Sequence, residues 1–362
     1  MVKWACCAGL ICRSDVGCHQ WTPSEHLCLS VFICGLRIFF VGVIDSLSAG
    51  YRFLGRRIGL LAIPVLLDMW LRFGPQLSVA PLFTWLADLY RSLAAVEGLS
   101  PEMATLVGQL ADSLGQMGES SNLFSLLVNN SLLHVPSAVV AIGPAPGATV
   151  QTIANPVVAV GLALAFWILG ILIGVVYLTL LARNLPLGNS PRPLAWAEGA
   201  KLVVVHWGMI VAFVALTALA LVAISLPVTF GIALVSLLSP VLGSGLGFLL
   251  SGLIFLVLFY LYFVTVAIVM DNATLPTAVL GSARLVRRNF WPTVGFIVLT
   301  NLISIGFLLL VNQVAALASF GANVAILVNA YIGTGLAMAW LVFYRTRVLR
   351  MHEEMAAALQ GS

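Results

Sequence analysis

Asp68 and Arg72 stand four residues apart in an otherwise apolar stretch, a spacing that puts a carboxylate beside a guanidinium on one face of a helix. Ionisable groups are costly in hydrocarbon, so such a pair marks either a proton or ion route or an ion pair that staples the structure while Arg72 snorkels to water. The expectation is the staple. His206 is the one histidine within an expected span, and Trp207 beside it suits a membrane interface. Asn301 and Asn312 are eleven residues apart and share a helical face, which Asn329 on the next stretch can meet. Buried amides in lipid either bridge helices or line a polar path.

These six residues are the candidate intramembrane polar positions, and nothing around them completes an active site. The chain has no H-E-x-x-H, no phosphate-binding Gly-rich loop with Lys and no carboxylate cluster able to hold a metal. The six cysteines all fall within the first 34 residues, and with His19 and His26 they lack the C-x-x-C knuckle of zinc sites. No catalytic residue, metal ligand or cofactor is therefore assigned.

The elements that would position these groups are membrane helices. Charged residues make up 8% of the chain and hydrophobic ones 61%, whereas soluble domains carry about 25% charged residues. Residues 120–182, 202–270 and 289–344 contain no Asp, Glu, Lys or Arg. A span needs roughly 20 apolar residues. The chain therefore reads as an all-α, polytopic transmembrane helical bundle with about six spans, near 55–73, 155–182, 201–226, 246–270, 292–317 and 322–345. From Arg37 onward, thirteen of the seventeen basic residues fall around the start of span 1, between spans 2 and 3, between spans 4 and 5, and after span 6, and Lys3 and Arg13 of the N-terminal extension join them. The positive-inside rule makes that side cytoplasmic and predicts cytoplasmic N- and C-termini in a bacterial cytoplasmic membrane.

The organisation follows. Residues 1–36 form an atypical Cys-rich extension, read as lying outside the native chain with a start near Val31, Leu36 or Val41; a real cytoplasmic tail is the other reading. Residues 37–73 hold an interfacial helix and span 1, and 74–154 an external helical loop. A five-span bundle occupies 155–350 and a cytoplasmic tail 351–362. In the loop, helices are expected over 79–95, 103–117 and 121–135, followed by a Pro/Gly-rich linker over 136–147.

Three segments resemble one another: Ser48-Ala-Gly-Tyr-Arg52-Phe-Leu54, Ala197-Glu-Gly-Ala-Lys201-Leu-Val203 and Leu280-Gly-Ser-Ala-Arg284-Leu-Val286. Each places small residues, one cation and two apolar residues ahead of a pair of spans. Five residues after the cation stand Arg57, His206 and Asn289. Three helical hairpins are thus expected, each preceded by an interfacial amphipathic helix that packs its small face on the bundle.

The approach to span 5, Ala283-Arg-Leu-Val-Arg-Arg-Asn-Phe-Trp291, together with the repeated paired spans, resembles the membrane domain attached to glycerophosphoryl diester phosphodiesterases, within a loose group of bacterial six-span proteins of unknown function. The resemblance covers roughly residues 40–350, and the chain lacks the phosphodiesterase domain, so that activity is not implied. The expected function is that of a non-enzymatic, permease-like or accessory membrane component. A secondary transporter of a small solute or lipid is one alternative, and a membrane-embedded lipid-modifying enzyme using Asp68, Arg72 or His206 is another. The partners implied are membrane lipids and other membrane proteins; scattered cations do not suit nucleic acid.

Overall fold

A computed structural model describes residues 42–94, 101–119, 121–128, 135–143, 145, 147–185, 196–317 and 320–360, so the expectations for residues 1–36 lie outside it. Helix α1 (42–55) leads through a 3-10 turn, Ile58–Leu61, into α2, Ala62–Phe73. The segment between α2 and the helices that follow holds β1 (Gln76–Ser78), α3 (Ala80–Ala94), α4 (Pro101–Glu119), a 3-10 turn (Leu123–Leu127), α5 (Val139–Ile142) and β2 (Val150–Thr152). The rest is helical: α6 (Pro156–Arg183), α7 (Trp196–Leu238), α8 (Pro240–Tyr260), α9 (Val264–Asp271), α10 (Leu275–Arg288), α11 (Phe290–Leu317) and α12 (Gly321–Gln360).

The fold is an all-α polytopic bundle. Five helical stretches are long and apolar enough to cross a membrane: Pro156–Arg183, Ala197–Leu238, Pro240–Asp271, Phe290–Ala315 and Gly321–Gln360. The first expected span is shorter than those. Its 3-10 turn and α2 together cover about 26 Å, under the roughly 30 Å of a hydrocarbon core. It still links the two ends of the bundle. Arg57 hydrogen-bonds Asn184 at the C-terminus of α6, while at the far end Arg72 donates to the Gly143 carbonyl at 3.2 Å.

The repeat is visible as shared burial. In α1 and α10 the matched pairs Ser46/Ala278, Gly50/Ser282 and Leu54/Val286 are buried, and the cations Arg52 and Arg284 are exposed. This is the i, i+4, i+8 stripe of an amphipathic helix with a small-residue face. The second copy differs: residues 197–203 run straight into the span as the first turns of α7, because nothing after Lys201 breaks the helix. In the other two copies the residue five positions past the cation sits at the junction, Arg57 capping the 3-10 turn and Asn289 ending α10.

Each copy leans on the second span of the preceding pair, and the first leans on the last. Gly50 crosses α12 so closely that a Cβ there would lie 2.6 Å from the Ala339 nitrogen, and Gly335 opposite leaves room for the Tyr51 ring. Tyr51 donates to the Ile332 carbonyl at 3.1 Å, and burial pushes its hydroxyl up to about 12, so it remains a neutral donor. Trp207 of α7 donates to the Ile168 carbonyl of α6 at 3.1 Å. Ser282 of α10 serves the α8–α9 span, where the helix breaks at residues 261–263. Its Oγ donates to the Tyr260 carbonyl at 2.7 Å and accepts from the Phe263 N–H at 3.1 Å. Both groups lose their helical partners at the break and would otherwise be costly in an apolar interior.

Below this break an aromatic layer fills the bundle. Phe296 stacks on Phe343 at 4.6 Å, and Tyr262 meets the Trp340 ring edge-on at 5.6 Å. At the basic end Asp271 closes α9 and accepts from Tyr344 at 2.6 Å and Arg345 at 2.9 Å.

Several expectations are corrected. The third external helix, expected over 121–135, is within the described residues only a 3-10 turn at Leu123–Leu127. The Pro/Gly linker contains α5, and a short parallel pairing of β1 with β2 was not foreseen. Span 3 does not end near residue 226: α7 continues through Pro227 to Leu238, about 64 Å in all. α7 packs on α6, α8 and α9, and the α7–α8 hairpin presents long bare apolar faces such as Leu219, Phe230 and Phe248.

Candidate functional site

The last hairpin carries the site. Phe290 starts α11 directly after Asn289, and after the bend near Phe320 the chain returns as α12, antiparallel to it. Their facing surfaces do not close completely. A cleft of about 490 Å³ remains between them, within the roughly 300–1,000 Å³ typical of small-molecule sites. From α11 it is lined by Thr300, Asn301 and Ser304, and from α12 by Asn329. Its floor is Phe296, Trp340 and Tyr262, the aromatic layer that separates it from the basic end.

The mouth is covered by residues 135–137. Pro136 descends onto Gly333, where a Cβ would collide with the proline ring, so only glycine admits this lid. The lid is held by Asp68. The carboxylate is fully buried and accepts from Ser137 Oγ at 2.5 Å and from the Ala138 N–H at 2.8 Å. Val65 and Met69 on the same helix pack with Ala138, Val311, Ala325 and Ile326, which wedges α5 between α2, α11 and α12.

Hydrogen bonding inside the cleft is uneven. Thr300 Oγ1 is spent on the Phe296 carbonyl at 2.8 Å, and Asn301 Nδ2 on the Ile297 carbonyl at 2.8 Å. Asn329 Nδ2 is buried and has no hydrogen-bond partner in the protein. An unpaired buried donor costs about 1–3 kcal/mol.

Of the six sequence candidates, the structure brings Asn301 and Asn329 together in one cleft and sets Asp68 behind its lid. Asn312 shares the helical face of Asn301 and is exposed like it, but lies about 16 Å further along α11, outside the lining. The expected Asp68–Arg72 ion pair is absent: the fold gives each side chain a nearer partner in the 137–143 segment, Ser137 and Ala138 for the carboxylate and the Gly143 carbonyl for the guanidinium. His206 belongs to the opposite end, where it is buried and meets Asn272 Oδ1 through Nε2 at 3.0 Å. Asn272 takes a left-handed backbone, φ 51°, which turns its side chain back from the end of α9 toward α7.

Ser304, Thr300, Ser137 and Tyr262 are site residues that the sequence reading missed. Ser304 was within reach, since it lies three positions from Asn301 on the same helix. Ser137 was not, because its place depends on a long-range bond to Asp68. Among the described residues no three His, Cys, Asp or Glu side chains gather into a metal-binding group. The chain matches no family model, and no curated protein or solved structure matches it either.

Proposed function

We propose that this integral membrane protein is a non-enzymatic, permease-like component of a bacterial cytoplasmic membrane that takes up a small molecule between α11 and α12. The observation that carries the reading is the buried, unpartnered Nδ2 of Asn329 in a cleft with Asn301 and Ser304. The lining supplies amides and hydroxyls suited to binding. Asp68 and His206, the groups suited to proton transfer, lie behind the lid and at the other end of the bundle.

In this reading α2 is a short first crossing, six spans traverse the bilayer, and the end carrying Arg57, Arg183, Arg288 and Arg345 faces the cytosol. The lid then faces outward, and the bare faces of α7 and α8 meet membrane lipids or other membrane proteins. Kinship with the phosphodiesterase-associated membrane domains belongs to the same proposal. A second reading, secondary transport, draws on the one-sidedness of the cleft: it is blind at its aromatic floor, and movement of Trp340 and Phe296 would open it to the other side.

Native mass spectrometry of the full chain released from detergent tests the cleft. The wild type is expected to retain a bound small molecule that Asn301→Leu/Asn329→Leu loses while keeping its fold. Identical bound masses in both proteins would remove the cleft from the reading.

A further inference from the structure

Resting on that reading, we infer that the ligand is an amphiphile with an uncharged, hydroxyl- or ester-bearing head and a hydrocarbon tail, a lipid of the diacylglycerol type. A second hollow, an open apolar groove on the surface of the bundle, adjoins the cleft. It measures about 600 Å³ and lies on the other side of the α11–α12 contact, against α1. Its walls are Ile303, Leu327, Val328, Tyr331 and Tyr51. The Tyr51 hydroxyl is already spent on the Ile332 carbonyl, so the hollow offers a tail nothing but apolar surface.

Phe307 and Ile332 line both spaces and form the seam between them. A polar cleft and an apolar hollow that share a wall divide one molecule into a head and a tail. A free polar solute would leave the hollow without a role. A pure hydrocarbon would leave the Asn329 donor unpaired.

The head is neutral. Among the described residues no Asp, Glu, Lys or Arg lines either space, and the carboxylate oxygens of Asp68 behind the lid are engaged by Ser137 and Ala138. A phosphate or ammonium buried here without a counter-charge would suffer a desolvation penalty of several kcal/mol. An ester carbonyl or hydroxyl instead suits the uncharged amides of Asn301 and Asn329 and the hydroxyl of Ser304 that line the cleft.

The test uses purified full-length protein in nanodiscs and two probes with the same diazirine-bearing acyl chain, one a diacylglycerol and one a phosphatidylglycerol, with free glycerol as competitor. The diacylglycerol probe is expected to label the Leu327–Ile332 wall at least five-fold more than the phospholipid, and excess dioleoylglycerol to displace it. Asn329→Leu and, separately, Leu327→Trp are expected to abolish that preference, with thermal melting confirming that each variant folds. Equal labelling by the two probes, unchanged in Asn329→Leu, overturns the inference and identifies ordinary annular lipid. Protection of a Ser304→Cys variant from alkylation by glycerol but by neither lipid overturns the amphiphile while leaving the cleft as a solute site. Protection by none of the three overturns both.

Discussion

Ser137 Oγ donates to Asp68 Oδ1 at 2.5 Å, joining the lid of the cleft to the middle of α2 across 69 residues of sequence. Together with the Ala138 N–H on the other oxygen, this bond anchors the lid to the bundle. Asp68→Leu is therefore expected to destabilise the protein and free residues 135–138, with a loss of about 1–3 kcal/mol for each buried donor left unpaired. The readout is thermal melting together with faster hydrogen exchange at Ala138.

The same geometry separates Asp68 from Arg72 energetically. A double-mutant cycle on Asp68 and Ser137 is expected to give a coupling of about 0.5–3 kcal/mol, and a cycle on Asp68 and Arg72 less than about 0.5 kcal/mol. A strong Asp68–Arg72 coupling would restore the ion pair that the sequence spacing suggests.

How much of this was legible beforehand depended on the range of the forces involved. The charge-free stretches and the arginines between them locate α6, α10, α11 and the apolar part of α12, and the apolar region that holds α7 to α9, because burial in hydrocarbon acts on composition alone. Two of the three expected copies agree at residue level: positions 46, 50 and 54 match 278, 282 and 286 in burial, and their two cations match in exposure, whereas the second copy is continuous with α7 and buries no such face. The helix break at 261–263 carries no Gly or Pro and is stabilised by Ser282 nineteen residues away, so no local signal announces it. The lid was likewise hidden, since Ser137 finds Asp68 only after α2, α11 and α12 have packed. The Asn301–Asn312 periodicity correctly gave a shared face but not where along it the cleft ends.

Ser282 offers a direct test of the capped break. Ser282→Ala removes the acceptor for Phe263 N–H and the donor to Tyr260 O, a cost of about 1–3 kcal/mol per orphaned group. Melting should fall, and exchange at the Phe263 amide should rise, while Ser48→Ala, at an exposed position of α1, leaves stability unchanged within about 0.5 kcal/mol. Equal melting temperatures for the two variants would mean the break needs no cap.

Gly50 tests the closure of the ring between α1 and α12. A Cβ there meets the Ala339 backbone, which belongs to a helix and has no side-chain freedom to yield, so Gly50→Ala is expected to destabilise by about 1–3 kcal/mol. Gly281→Ala in α10 has open space around its Cβ and is expected to gain about 0.5–1 kcal/mol from helix propensity. Opposite signs in the two melting shifts are the result that supports interlocking of the first and last repeats; a neutral Gly50→Ala would leave α1 merely resting on the surface.

The sidedness of the membrane is open to a chemical test because all six cysteines precede residue 35. With these replaced by serine, Arg284→Cys on the exposed face of α10 and Ser113→Cys on the exposed face of α4 become single reporters at opposite ends of the bundle. In intact cells a membrane-impermeant maleimide is expected to label Ser113→Cys and to reach Arg284→Cys only after lysis. The argument is electrostatic as well as topological. Arg284, Arg287 and Arg288 leave one short segment strongly cationic, and moving it across an energised bilayer against the potential costs about 2.3 kcal/mol per charge per 100 mV. Labelling of Arg284→Cys from outside would invert the bundle and turn the lid of the cleft toward the cytosol.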